Sequence, residues 1–149
     1  MSYNALVEKK LSCSRQQVFE ALTDFGAIDT LLDGVIDSVT CTGSGIGCLR
    51  DIQLSEASGW QGRVVERMDI AYDGRIYGYS ISNEEEIPIP MKNYSSFVMI
   101  EDTPDGGCAV SYGSNWDPVD TDEDALRASL EGLYAAILDA IEAQSKQAA

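Results

Sequence analysis

Five polar side chains fall on the apolar faces of predicted β-strands: Arg50, Glu66, Tyr79, Tyr94 and Ser96. Residues two apart in a strand point to the same side of the sheet, so each of the five shares its face with apolar neighbours. If these faces form one concave surface, the five side chains converge in an otherwise apolar cavity. Apolar walls with a few placed polar groups are the usual composition of a small-molecule site.

The same alternation extends the predicted ligand-binding site to apolar and aromatic neighbours, and the C-terminal helix adds a row of small residues. This row has two interpretations: it leaves volume for a guest molecule, or it reflects close helix–sheet contact and high helix propensity. The residues that join the five polar ones in the predicted site are Ile52, Leu54, Met68, Tyr77, Ile81, Ala128, Gly132 and Ala136.

Proton transfer in such a cavity would depend on Glu66. A buried carboxyl with a raised pKa can act as a general base, assisted by Tyr79 or Tyr94, while Arg50 stabilises a developing enolate. The alternative interpretation is structural: Arg50 and Glu66 form a cross-strand ion pair of little net stability, and the tyrosines pack as ordinary aromatic residues. The chain contains no histidine, which excludes Ser-His-Asp and Cys-His relays and histidine zinc ligands.

The elements that must position these residues are predicted from periodicity and from turn and cap signals. Alternation predicts a first strand at residues 3–11, and Ser14 with Gln17 forms a capping box that opens a short helix at 15–22. A second short helix is predicted at 27–32. Six further strands are predicted at 35–41, 46–54, 60–70, 74–82, 93–101 and 108–116, with a proline-containing loop at 83–92.

A long C-terminal helix is predicted at residues 121–146, with Thr121 as its N-cap. Its apolar stripe consists of Leu126, Leu130, Leu133, Ile137 and Ile141. The fold class is therefore α+β, in which a curved antiparallel sheet of about seven strands needs this helix to cover its apolar face. The space between a curved sheet and a single helix need not be filled by side chains, so we expect an internal cavity there.

Composition predicts one domain over residues 1–149. The 25 acidic and 10 basic residues leave a net charge of −15, which disfavours nucleic acid and anionic membranes as partners and favours a monomer or a weak homodimer. No apolar run approaches the ~20 residues that span a bilayer, and no secretory signal pattern is present, so we expect a cytoplasmic protein without membrane insertion. Its cysteines, including Cys41 and Cys48 across a predicted hairpin, are then expected to be reduced. We expect no metal and no other cofactor.

Five short segments resemble the corresponding strands of the plant abscisic-acid receptors: residues 47–51 (GCLRD), 66–69 (ERMD), 73–75 (DGR), 78–81 (GYSI) and 93–96 (NYSS). With the order of elements, they resemble the helix-grip fold of the birch-pollen-allergen superfamily (START-like, SRPBCC). That superfamily includes START-type lipid carriers and the polyketide cyclase/dehydrase family. The resemblance implies a sheet wrapped around the C-terminal helix, and it places Glu66, Tyr94 and Ser96 at pocket positions.

Three departures from the receptors argue against hormone reception. Asp37 stands where the receptors carry the lysine that pairs with the hormone's carboxylate. The receptors' gate loop is replaced by residues 55–59 (SEASG), and their latch is replaced by a longer proline-rich segment at 87–91. The chain therefore resembles a bacterial polyketide cyclase of this superfamily more than it resembles the receptors.

Two functions are consistent with this sequence, and a third depends on charge alone. The first is binding or carriage of a small, largely apolar molecule, such as a lipid, a polyketide or an aromatic metabolite, with the loops at 55–59 and 83–92 as lids. The second is a polyketide cyclase, aromatase or dehydratase that uses Glu66 with Tyr79, Tyr94 and Arg50. The third is an interaction protein that uses its acidic surface.

Overall fold

The sheet of this protein has seven antiparallel strands, and the computed structural model describes residues 2–148. The strand order is β1-β7-β6-β5-β4-β3-β2, so the first strand lies beside the last and the remaining strands form a meander. The predicted α+β helix-grip fold is confirmed. The strands are β1 (Ala5–Leu11), β2 (Ile36–Thr42), β3 (Leu49–Leu54), β4 (Gly62–Tyr72), β5 (Ile76–Ile81), β6 (Met91–Asp102) and β7 (Cys108–Pro118).

Two α-helices and two 3-10 turns complete the fold. Helix α1 (Arg15–Thr23) begins with the predicted capping box: the Gln17 amide donates to Ser14 Oγ at 3.1 Å, and the Ser14 amide donates to Gln17 Oε1 at 2.9 Å. The second short helix predicted at 27–32 is present as a short 3-10 helix, which we call the 3-10 turn Phe25–Thr30. A shorter 3-10 turn, Glu56–Ser58, follows β3.

Two predicted boundaries are wrong for local reasons. The strand predicted from residue 46 begins at Leu49, because Gly43, Gly45 and Gly47 all have positive φ angles and keep the chain in a turn. The C-terminal helix α2 (Glu123–Ala148) is capped by Asp122 rather than by Thr121, since Asp122 Oδ1 accepts the Asp124 amide at 3.0 Å.

Helix α2 rests mainly on β1 and β7, at one side of the sheet. Its buried residues repeat three or four positions apart, as an amphipathic helix requires, and they are Leu126, Leu130, Tyr134, Ile137, Leu138 and Ile141. The 3-10 turn Phe25–Thr30 packs against β2 and β3 at the other side. Helix and turn therefore cover opposite sides of the concave face, and the space between them lies over the middle strands.

None of the helices within residues 2–148 is both long enough and apolar enough to cross a membrane.

Candidate functional site

The candidate site is a cavity between the concave face of the sheet, the 3-10 turn Phe25–Thr30 and α2. The empty space in and around this cavity, which includes open solvent at its mouth, measures about 670 Å³. The second measure counts only the positions that the centre of a water-sized molecule can occupy, and it is about 80 Å³. A single water needs roughly 10–15 Å³ on that second measure, so the inner cavity has room for several. Most of its wall is apolar: Ile28, Leu32, Val35, Ile36, Ile52, Leu54, Trp60, Val64, Ile81, Ile89, Met91, Leu130, Leu133 and Ile137.

Polar groups occupy a minority of the cavity wall, namely Arg50, Ser58, Glu66, Tyr79, Tyr94 and Tyr134. Four of these, Arg50, Glu66, Tyr79 and Tyr94, were predicted from strand alternation. The predicted lids also reach the wall, through Ser58 on one side and through Ile89 and Met91 on the other.

The predicted site residues fall into three groups in the structure. Seven of them line the cavity: Arg50, Ile52, Leu54, Glu66, Tyr79, Ile81 and Tyr94. Three others, Met68, Tyr77 and Ser96, are buried but are not part of its wall. That the lining residues bind a ligand remains a prediction.

The third group, the row of small residues on α2, faces solvent. Ala128, Gly132 and Ala136 are exposed, and a Cβ atom added to Gly132 would meet nothing within 4 Å. Successive helical residues are turned by about 100°, which puts Ala128 and Gly132 about 160° from Leu130, on the far side of the helix. The prediction that this row makes room for a guest is therefore wrong.

Arg50 and Glu66 form a buried ion pair in the cavity wall. They are register partners on β3 and β4, and Arg50 Nε donates to Glu66 Oε1 at 2.7 Å. Their side chains are only 3% and 12% exposed. The guanidinium also lies 3.8 Å from the ring centroid of Phe25 and donates to the Phe25 carbonyl at 3.3 Å. A cation held by a carboxylate, a carbonyl and an aromatic face is fixed in position.

The charge of Arg50 survives this burial. Desolvation by itself lowers the pKa of the guanidinium, but the oxygens of Tyr77 and Glu66 more than offset that effect and the net pKa is raised. Arg50 therefore stays a cation, and its carboxylate partner compensates the charge locally.

Four tyrosine hydroxyls and one serine hydroxyl form a continuous row, which we call the hydroxyl row, at the inner end of the cavity. Its members, in order, are Tyr112, Tyr79, Tyr94, Tyr134 and Ser114. The successive oxygen–oxygen distances are 2.6 Å, 3.4 Å, 2.6 Å and 2.7 Å. Every member is buried. The first, third and fourth distances fall in the ordinary range for O–H···O bonds. The second, between the Tyr79 and Tyr94 hydroxyls, is longer.

Burial keeps the tyrosines of the hydroxyl row protonated. Desolvation raises the pKa of Tyr79, Tyr94 and Tyr112 well above the ordinary value of 10.0, and it also raises the pKa of Tyr134. Each hydroxyl is therefore a hydrogen-bond donor as well as an acceptor throughout the neutral pH range.

Sequence reasoning missed Tyr112 and Tyr134, although signals for both are present. Tyr112 lies in the alternating series of buried residues on β7, which also contains Val110 and Ser114. Tyr134 follows Leu130 by one helical turn and so belongs to the buried stripe of α2. Asp37, at the position of the receptors' lysine, is exposed beside a bulge in β2 and does not line the cavity.

All four cysteines are free thiols. Cys41 is exposed, whereas Cys13, Cys48 and Cys108 are buried.

A seven-stranded curved sheet that holds one long helix over an apolar cavity is the architecture of helix-grip domains. The sequence profile of the family described as polyketide cyclase/dehydrase and lipid transport matches residues 6–146. The chain belongs to this family, and the family predicted from the sequence is confirmed. Among curated proteins, none matches the sequence.

Solved structures share the fold at low sequence identity. The protein XoxI from Bacillus cereus is 23% identical, with a TM-score of 0.77, and the match covers 97% of this chain and 95% of that one. An uncharacterized protein from Bacillus thuringiensis is 22% identical, with a TM-score of 0.74, and the match covers 95% of this chain and 97% of that one. These likenesses concern the fold alone.

Proposed function

We propose that this protein binds and carries a small, largely apolar molecule in the cavity between the sheet and α2. The proposal rests on the composition of the cavity wall, in which fourteen apolar residues surround a few polar groups. Most of these polar groups hydrogen-bond to one another. Such a wall favours a guest with a hydrocarbon body, because each buried CH₂ group contributes about 0.8 kcal/mol. Membership of a family that includes lipid transport supports the same proposal.

The size of the cavity limits the guest or requires the lids to move. Ligand sites for drug-sized molecules usually measure roughly 300–1,000 Å³, whereas the comparable volume of this cavity is about 80 Å³. Ser58 and Ile89 come from the two predicted lids, and Leu133 comes from α2. An outward movement of the lids would enlarge the cavity without disturbing the sheet.

A tryptophan at Leu133 is expected to block this cavity. Leu133 is half-buried and lines the wall, so the larger ring of Leu133→Trp fills space that the guest needs. We expect at least a tenfold loss of affinity for a neutral fluorescent probe, N-phenyl-1-naphthylamine, in a fluorescence titration. The matched control is Ala136→Trp, on the exposed face of the same helix, for which we expect a change of less than about twofold. Equal affinity in wild type and Leu133→Trp would contradict the proposed location.

The identity of a natural guest is best sought by native mass spectrometry of the protein purified from its own host. An adduct mass would distinguish a lipid from an aromatic metabolite, and its loss in Leu133→Trp would assign it to the cavity.

Catalysis by the same cavity is the second candidate function, and one observation favours it. Within residues 2–148, Glu66 is the only carboxylate in the cavity wall, and Tyr79, Tyr94 and Arg50 line the same space. A dehydratase of the predicted kind would remove a proton beside a ketone with Glu66 as base, with the resulting enolate stabilised by Arg50 or by a hydroxyl.

Substitution of Glu66 distinguishes a carrier from a dehydratase. An aromatic β-hydroxyketone, 4-hydroxy-4-phenylbutan-2-one, serves as substrate, and formation of the conjugated enone is followed by absorbance. A carrier gives no rate above buffer. A dehydratase gives a rate that Glu66→Gln lowers by about 10²-fold or more, measured below the unfolding temperature of the variant. An unchanged rate in the variant would remove Glu66 from the mechanism.

A further inference from the structure

The hydroxyl row contains one more hydrogen atom than its internal contacts can use. Five hydroxyl groups carry five hydrogens, and each hydrogen can serve one hydrogen bond. Within residues 2–148 the row makes four contacts between its members, from Tyr112 through to Ser114. One donor is therefore left over among buried residues, and a buried donor without an acceptor is unfavourable.

The weakest contact of the row joins two cavity-lining side chains, as does the shorter contact between Tyr94 and Tyr134. The Tyr79 and Tyr94 hydroxyls are 3.4 Å apart, whereas the other three contacts are 2.6–2.7 Å. Tyr79 and Tyr94 both line the cavity, but Tyr112 and Ser114 do not. A guest oxygen that enters this gap replaces one long contact with two contacts of ordinary length.

We infer that the gap between the Tyr79 and Tyr94 hydroxyls is a binding subsite for a neutral carbonyl oxygen, such as that of a ketone or an ester. With such an oxygen in place, Tyr112 donates to Tyr79 and Tyr79 donates to the guest. From the other end, Ser114 donates to Tyr134, Tyr134 to Tyr94, and Tyr94 to the guest. Five hydrogens then make five hydrogen bonds, and the two lone pairs of a carbonyl oxygen accept the last two.

This arrangement requires only that the Ser114 and Tyr134 hydroxyl groups rotate, so that their donor and acceptor roles are exchanged. In the structure Tyr134 donates to Ser114 at 2.7 Å. A hydroxyl group can exchange the roles of donor and acceptor by rotation, so Ser114 and Tyr134 can reverse without movement of the backbone. Their oxygen atoms already lie at hydrogen-bond distance.

The surrounding charges favour a neutral oxygen over a carboxylate. Arg50 is the only cationic side chain in the cavity wall within residues 2–148, and Glu66 at 2.7 Å already compensates it. The Glu66 charge also acts on Tyr79, whose pKa is raised first by desolvation and next by that carboxylate. A carboxylate at the subsite would be an anion without a counter-ion of its own, close to Glu66.

Three probes of similar size test this inference, which rests on the proposed function. They are acetophenone, which presents a carbonyl; α-methylstyrene, in which a CH₂ group replaces the oxygen; and benzoate, which presents a carboxylate. We expect acetophenone to bind about tenfold more tightly than α-methylstyrene, and benzoate to bind less tightly than acetophenone, in calorimetric or ligand-observed NMR titrations.

Tyr79→Phe and Tyr94→Phe are each expected to remove most of the preference for the ketone while leaving the affinity for α-methylstyrene within about twofold. Tyr72→Phe, at the exposed end of β4, controls for the substitution itself.

Each outcome separates the subsite from the cavity as a whole. Binding of α-methylstyrene without preference for acetophenone would overturn the subsite and leave the proposed function standing. A preference that persists in both Phe variants, or tighter binding of benzoate than of acetophenone, would also overturn it. Failure of all the probes to bind would overturn the proposed function and the subsite with it.

Discussion

Raising the pH above 10 is expected to unfold this protein within about one to two pH units. Five tyrosines are buried, and desolvation is the first cause of a raised pKa for each of them: Tyr77, Tyr79, Tyr94, Tyr112 and Tyr134. In the unfolded chain their ordinary pKa is 10.0, so above that pH the unfolded state loses protons that the folded state retains. Their stabilising effect is complete below pH 10 and is lost as the pH rises towards the raised folded-state pKa values.

The size of this effect follows from the number of tyrosines. Each one reduces the free energy of unfolding by about 1.4 kcal/mol per pH unit once its unfolded form is ionised. Five together approach about 7 kcal/mol per pH unit, against a total stability of roughly 5–15 kcal/mol for a typical domain. No single ordinary substitution is expected to have as large an effect.

The measurement is a pH titration that follows tyrosinate absorbance and far-ultraviolet circular dichroism in the same samples. We expect the buried tyrosines to ionise together, in the same pH interval in which the secondary structure is lost. Tyr79→Phe removes one of the five groups, so the free energy of unfolding in denaturant should fall about one fifth less steeply with pH above 10. Gradual ionisation of all the tyrosines with an unchanged circular dichroism spectrum would contradict this account.

Strand periodicity predicted four of the six polar groups in the wall of the candidate site. Because side chains alternate with period two, Arg50 and Glu66 could be placed on the concave face before their partner strands were known. Antiparallel pairing of β3 and β4 then made them register partners. The order of elements followed from the same pattern, and a meander with one long helix permits few arrangements. The family followed from a resemblance carried by five short segments together with that order.

The errors in the predicted site concern two properties that a sequence pattern does not determine. These are the direction in which a helical residue faces and the distance between side chains on different elements. Small residues are common on any face of a helix, so their presence on α2 does not show which way they face. The angle of about 160° between Gly132 and Leu130 does show it, because Leu130 lies on the buried face. The hydroxyl row could not be predicted, because it joins β5, β6, β7 and α2 through contacts separated by up to 40 residues. Such contacts depend on the curvature of the sheet and the position of the helix over it.

Conversion of Glu66 to glutamine is expected to lower the free energy of unfolding by about 3 kcal/mol or more. Removing one partner of a buried ion pair leaves the other as an uncompensated buried charge, which typically costs about 3–5 kcal/mol. Here the remaining partner is Arg50, which is 2% exposed and cannot turn towards solvent while its guanidinium lies over Phe25. Denaturant unfolding, followed by circular dichroism, measures the loss.

Asp51, which lies on β3 beside Arg50, provides a matched control for Glu66→Gln. It follows Arg50 directly, so its side chain lies on the opposite face of the sheet, where it pairs with Arg63 at 2.8 Å. Those side chains are 36% and 50% exposed, and exposed pairs contribute at most about 1 kcal/mol. Asp51→Asn makes the same chemical change as Glu66→Gln and should cost much less.

The double variant Arg50→Met/Glu66→Leu decides between charge and packing as the source of the loss. Replacing both partners of a buried pair with apolar residues is often neutral or stabilising. If the uncompensated charge is the cause, the double variant should be more stable than Glu66→Gln. If the double variant is instead the less stable of the two, the contacts of Arg50 with Phe25 matter more than its charge, and the pair acts chiefly as a brace for the cavity wall.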